Sequence, residues 1–178
     1  MRDWDRHYSE QTNLISEPSP LLVEVAGLLA PGRALDLACG AGRHALHLAQ
    51  LGWRVTAVDA SAEAIRRLHD AMPARAQIDA RVADLTVGEF QIEPAAYDLI
   101  CDFYYLQRDL FDAIREGVRP GGTFVGAIHV RVPGRESRFA LEPGELRQYF
   151  NGWKILYYSE AMEAEGSRPS ARIIARRA

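Results

Sequence analysis

This sequence has no long apolar run, only two cysteines and no strong excess of either charge, and each scarcity narrows the reading. No stretch approaches the ~18 apolar residues a membrane span needs, so no membrane association is expected. The two cysteines, Cys39 and Cys101, lie far apart and offer neither a metal-type spacing nor a disulfide framework. Both fall in apolar, strand-like runs and read as small buried thiols. A formal net charge of −3 gives no general attraction to a phosphate backbone, so no nucleic-acid partner is expected. Repeats, low-complexity tracts and a dividing linker are also absent, and the 178 residues read as a single domain, 1–178. The opening Met1-Arg2-Asp3-Trp4-Asp5-Arg6-His7 is charged where a secretory signal needs an apolar stretch, which leads us to expect a cytoplasmic protein.

What is present is an alternation of strand and helix signals. Residues 1–18 read as polar and irregular. Ser19-Pro20 opens a helix carrying an apolar stripe of Leu21, Leu22, Val25, Leu28 and Leu29, stopped at Pro31-Gly32. Strands are expected at 34–38, 54–58, 80–83, 97–101 and 123–129, with helices after Gly42, after Ser61, over 109–118 and near 143–150. The interval between the third and fourth strands is too short for a full helix. Two last strands, 154–158 and 172–175, are joined by a loop alone and should pair antiparallel. The pattern predicts an α/β fold: a doubly wound, mostly parallel sheet with right-handed crossovers and an antiparallel final hairpin.

The chemistry concentrates after the first strand. Gly40-Ala41-Gly42-Arg43-His44-Ala45 fits G-x-G-x-x-G/A between a strand and a helix, where glycines permit a sharp turn and helix N–H groups favour an anionic ligand group. Asp59 ends the second strand, where a carboxylate can accept the two hydroxyls of a ribose. Asp36 lies inside an apolar strand, where an acid is costly unless paired. A dinucleotide would bring only phosphates to Asp36, whereas S-adenosylmethionine would bring an ammonium group. The bland alternative for Asp36 is an internal acid that steadies the turn. Asp84 could accept from an adenine amino group or act as a plain turn residue.

Leu35-Asp36-Leu37-Ala38-Cys39-Gly40-Ala41-Gly42-Arg43 resembles the first motif of class I S-adenosylmethionine-dependent methyltransferases. Val58-Asp59-Ala60-Ser61, Ala83-Asp84-Leu85, Tyr97-Asp98-Leu99-Ile100 and Arg119-Pro120-Gly121-Gly122 resemble its later motifs in order. The Trp4-Asp5-x-x-Tyr8 opening and the Gly-x-Gly-Arg loop resemble the compact tellurite-resistance and thiopurine-type branch. The resemblance implies a seven-stranded Rossmann-like sheet and S-adenosylmethionine as cofactor. It places cofactor contacts at Asp36, Ala38, Cys39, Gly40, Gly42, Asp59, Ala60, Ala83, Asp84, Leu85, Asp102 and Phe103. An N-terminal lid, residues 1–18, would bring Trp4 and Tyr8 over the cofactor, with an α/β core over 19–178. Ala38 departs from the family, which usually has glycine there, and is expected to be tolerated.

Methyl transfer needs alignment of the acceptor, exclusion of water and, for a protonated acceptor, a base. Tyr104 and Tyr105 are candidates for the acceptor wall, Arg108 for an acceptor contact, and His129 for the base. Each has a bland counterpart: aromatic packing for the tyrosines, a hydrogen-bonded strand-end residue for the histidine. Asp102-Phe103-Tyr104-Tyr105 lacks the prolines of the Asp/Asn-Pro-Pro-Tyr motif of amino-methylating enzymes. His44 and His47 lie on one helix without a third ligand, so no metal is expected. No inserted substrate domain is visible, and a small-molecule acceptor, a thiol or chalcogen anion, is expected on a monomer or homodimer. A non-catalytic cofactor-binding module and a nicotinamide-dependent reductase are the rival readings. The reductase leaves Asp36 and the final hairpin unexplained.

Overall fold

The computed structural model describes residues 4–10, 17–134, 137–162 and 168–178. The chain forms two compact units, Met1–Gln91 and Ile92–Ala178. The strand order of its seven-stranded sheet is β3-β2-β1-β4-β5-β7-β6.

The first unit runs α1 (Trp4–Glu10), α2 (Pro20–Leu28), β1 (Arg33–Leu37), α3 (Arg43–Gln50), β2 (Arg54–Asp59), α4 (Ala62–Ala71) and β3 (Ile78–Val82). β1 and β3 both pair parallel to β2. Ala34, Leu35 and Leu37 on β1 and Ala57 and Val58 on β2 are wholly buried, as strands covered on both faces require. β3 is mostly exposed, and its surface carries the Arg81–Asp79 ion pair, a charged edge that discourages pairing with another chain. After β3 the chain takes only a one-turn 3-10 helix, Leu85–Val87, so this crossover is reduced as the short spacing predicts.

Three sequence expectations change here. Residues 4–10 are helical rather than irregular, while 1–3 and 11–16 lie outside the described residues. α2 buries Leu22, Val25 and Ala26, and Leu28 is 81% exposed, because the helix ends there and the last turn leaves the core. Ser19 precedes α2 without a side-chain cap bond, Pro20 at the first turn leaving one fewer N–H to satisfy.

The second unit runs β4 (Tyr97–Phe103), α5 (Leu110–Gly117), β5 (Val118–His129), α6 (Glu145–Tyr149), β6 (Lys154–Ala161) and β7 (Ser170–Arg176). β4 and β5 are parallel, and β7 runs antiparallel to both β5 and β6. Pro120-Gly121-Gly122, expected to turn the chain before a strand, instead bulges out within β5: Tyr97 faces Val118 and Leu99 faces Thr123. An Asp98–Arg119 ion pair ties the bulge to β4. Phe124 stacks on Phe150 at 4.5 Å, and Phe111 stacks on Tyr149 at 4.1 Å, forming the aromatic core beside the sheet. Both cysteines are buried and neither is in a disulfide, Cys101 lying within β4 and Cys39 in the turn after β1 rather than in the strand.

Candidate functional site

The turn from β1 into α3 is wound through left-handed residues: Ala38 (φ 49°), Gly40 (φ 56°) and Gly42 (φ 83°). At Ala38 a side chain occupies a conformation that suits glycine, at a cost of roughly 1–2 kcal/mol. Glycine would carry no such cost at this position. A Cβ on Gly42 would lie 2.3 Å from Leu68 Cδ1, so glycine lets α4 close on the turn. A Cβ on Gly40 would lie 2.4 Å from the Tyr8 hydroxyl, so in this structure α1 is what approaches that glycine. The turn is tied down by Cys39 N–H donating to the Val58 carbonyl and Gly42 N–H to the Cys39 carbonyl, both at 3.0 Å.

Three carboxylates serve this region. Asp36 is 1% exposed; its Oδ2 accepts the Ala45 N–H at 3.1 Å, and Oδ1 lies 4.0 Å from His44 Nδ1. The chain itself thus supplies a partner for the buried acid, so Asp36 steadies the start of α3 without any ligand. Its burial alone therefore does not single out an ammonium group. Asp59, 8% exposed at the end of β2, accepts the Gly40 N–H on Oδ2 at 2.8 Å and the Ser61 N–H on Oδ1 at 2.9 Å. Burial raises its carboxyl above the ordinary range, and these two N–H groups oppose that rise. Asp84 receives the Thr86 N–H at 2.8 Å and the Thr86 hydroxyl at 2.6 Å on Oδ1, capping the 3-10 helix as a turn residue does.

Neighbouring candidates fall around these acids. Ala83 is buried and donates its N–H to the Asp59 carbonyl at 2.9 Å, Leu85 is buried, and Ala60 is exposed. Burial pushes the Cys39 thiol well above its usual pKa, so it is no thiolate nucleophile. Among the described residues, no cluster of three or more His, Cys, Asp or Glu is placed to hold a metal.

The N-terminal helix holds the residue that the sequence reading passed over. Asp5 Oδ1 accepts the Ser61 hydroxyl at 2.6 Å and the Glu63 N–H at 3.1 Å, capping α4 from another helix. The Ser61 hydrogen bond, then that of Glu63, holds the Asp5 carboxyl below the usual range. Ser61 Oγ also accepts the Ala64 N–H at 3.1 Å. Asp5 and Tyr8 are three residues apart and share a helix face, a spacing that could have signalled a docked helix. Tyr8 is half-buried, and burial drives its phenol pKa upward. Trp4 is largely exposed and meets His7 edge-on at 5.6 Å.

In the second unit, β4 ends in buried Asp102 and Phe103, and Asp102 Oδ1 accepts the Tyr105 N–H at 3.3 Å. Tyr104 follows at φ 70°, its N–H donating to the Ala127 carbonyl at 2.7 Å. A bulky residue at positive φ is costly and persists only where its surroundings hold it. Its ring stacks on His129 at 4.9 Å, bringing two of the candidates together at the ends of β4 and β5. Tyr105 turns to Gln107, donating its hydroxyl at 2.6 Å. Arg108 makes a two-pronged contact with Glu145 at 2.7 and 3.0 Å and reaches the Ala140 carbonyl at 3.1 Å, so it ties the chain to α6. Arg138 lies over the Phe139 ring at 4.7 Å.

Comparison with known proteins places this geometry. The model of the family "Tellurite resistance protein TehB" matches residues 2–168. Hemagglutinin 1 of Eikenella corrodens is 34% identical over 157 residues, covering 78% of this chain and 49% of that protein. A probable S-adenosyl-L-methionine-dependent methyltransferase TehB of Haemophilus influenzae is 27% identical over 154 residues, covering 79% of this chain and 52% of that protein. The chain spans about half the length of the curated relatives it matches. The crystal structure of TehB from Haemophilus influenzae superposes with a TM-score of 0.80 at 23% identity, covering 98% of this chain and 67% of that one. A geranyl diphosphate methyltransferase in complex with GPP and sinefungin shares the fold with a TM-score of 0.68 at 19% identity, over 89% of this chain and 75% of that one. The chain belongs to the family of the tellurite resistance protein TehB.

Proposed function

We propose that this chain binds S-adenosylmethionine at the glycine turn and transfers its methyl group to a small-molecule acceptor, a thiol or a soft chalcogen anion. The family match and the name of the Haemophilus relative support the cofactor. The observation that carries the reading is the grip of Gly40 and Ser61 on Asp59. One oxygen accepts the Gly40 N–H and the other the Ser61 N–H. A carboxylate has about four lone-pair sites, so capacity remains for a ribose hydroxyl. Fixed before ligand arrives, such an acceptor loses little entropy on binding.

When bound, S-adenosylmethionine supplies a methyl group already activated on sulfur. The protein's own task is then to position and to exclude water. Asp59 would hold the ribose, Asp84 and Leu85 the adenine, and the turn from Asp36 through Ala38, Cys39, Gly40 and Gly42 the methionine end. Tyr8 and Trp4 would cover the ligand, and Asp102 and Phe103 would add contacts. Tyr104 would wall the acceptor, and His129, stacked upon it, would take a proton from a thiol. Arg108 is proposed to act through Glu145 by fixing the segment between β4 and α6.

Calorimetric titration of S-adenosylmethionine, S-adenosylhomocysteine and NADH into wild type and Asp59→Asn tests this. Charge-assisted hydrogen bonds are worth about 1.5–3 kcal/mol each, so binding of the first two ligands should weaken at least about tenfold in the variant. Preference for NADH would overturn the reading. Methylated products from thiols, selenite or tellurite would fix the acceptor class, and activity confined to RNA or protein would exclude it.

A further inference from the structure

α1 has only seven residues and none of them is buried. A helix this short does not hold itself together in water; its side chains must anchor it. Two anchors are visible. Tyr8 sets its hydroxyl against Gly40, and Asp5 accepts from Ser61 Oγ and Glu63 N–H at the start of α4. Ser61 is the shared element, because its N–H donates to Asp59 while its hydroxyl donates to Asp5. A continuous line of hydrogen bonds therefore joins α1 to the glycine turn: Asp5, Ser61, Asp59, Gly40.

We propose that Asp5 is a positioning residue that latches α1 over the glycine turn and couples its docking to occupancy of the Asp59 site. The coupling part rests on the cofactor reading above. The latch works because Asp5 offers a carboxylate to the N-terminus of a ten-residue helix, where unsatisfied N–H groups and the helix dipole favour negative charge. A ligand held by Asp59 steadies Ser61, and a steadier Ser61 holds Asp5. By linkage, docking must tighten ligand binding by the same factor that the ligand tightens docking.

The full chain, as wild type, Asp5→Ala and Asp5→Asn, is digested with trypsin, and cleavage after Arg6 is timed by mass spectrometry. Cleavage there requires α1 to open, so its rate reports the open population. Asp5→Ala should be cut about tenfold faster, from the loss of one charge-assisted hydrogen bond or more. Asp5→Asn keeps an acceptor oxygen and should recover much of the protection. S-adenosylhomocysteine should slow cleavage of wild type and do so less in Asp5→Ala, which should also bind it more weakly by calorimetry. Equal cleavage rates for wild type and Asp5→Ala overturn the latch. Weaker ligand binding with unchanged cleavage overturns it too. If wild type binds no S-adenosylhomocysteine, the methyl-transfer reading and the coupling fail together, and the ligand-free cleavage rates still decide the latch.

Discussion

Around the glycine turn, acidic side chains hold main-chain groups. Asp36 takes the Ala45 N–H, Asp59 those of Gly40 and Ser61, and Asp84 that of Thr86. Beyond β4 several of the candidate side chains and their neighbours also hold one another. Tyr105 meets Gln107, Arg108 meets Glu145, Tyr149 also donates to Glu145, and Tyr104 stacks on His129, while Arg108 also reaches the Ala140 carbonyl and Asp102 accepts a backbone N–H. The first arrangement fixes the path of the chain itself. The side-chain pairs of the second have partners that can be exchanged with less disturbance of the backbone. We therefore expect the first region to be intolerant of substitution and the second to be tolerant, which is where variation in acceptor preference would be accommodated.

The sharpest way to break this contrast is Gly42→Ala. The added Cβ meets a fully buried Leu68 side chain, and the residue sits at φ 83°. Left-handed strain and overpacking together should cost about 2–4 kcal/mol, read from urea unfolding. A cost under ~1 kcal/mol would mean that the turn is not rigidly held.

A second effect is pH-dependent. Burial, reinforced by the nearby positive charge of Arg43, lowers the pKa of His44 from 6.5 to about 3, although Asp36 lies 4.0 Å away. The folded chain thus keeps this imidazole neutral where the unfolded chain would protonate it. The resulting stabilisation is complete above pH 6.5 and is lost progressively as the pH falls toward about 3. His44→Gln should flatten the fall of Tm with acidification across that window, and an unchanged slope would remove His44 from the account.

The smallest effect belongs to the second region. The Arg108–Glu145 pair is partly solvent-exposed, and screening limits its worth to about 1 kcal/mol or less. Arg108→Lys keeps the charge but loses the planar fork. A double-mutant cycle of Arg108→Lys with Glu145→Gln should give a coupling in that range. A much larger coupling would show the side-chain network to be as stiff as the glycine turn and would dissolve the contrast.

Much of the first region was legible because its constraints are local. Gly40 and Gly42 announce a turn, Asp59 stands at a strand end, and Ser61 is a helix cap whose Oγ accepts the Ala64 N–H as its position suggested. The antiparallel β7 could be read from two strand signals separated by a loop with no helix. Asp5 was not legible as a cap, since a carboxylate that caps a helix more than fifty residues away leaves no periodic trace. Nor was the commitment of Arg108 to Glu145, which sits 37 residues further on. Proline and glycine mark turns and bulges alike, so Pro120-Gly121-Gly122 does not distinguish the two in sequence. Arg135, a loop arginine that the sequence offers as an acceptor contact, and the loop residues 163–167 lie outside the described residues.

By itself the sequence determined the succession of strands and helices, the glycine turn and the acids placed around it. These follow from hydrophobic periodicity and from backbone conformations that few residue types adopt. Only the tertiary structure decided what those acids hold, that residues 4–10 form a docked helix, and that Tyr104 and His129 stack. Such outcomes depend on contacts between residues far apart in the chain, whose geometry arises from packing and not from local preference.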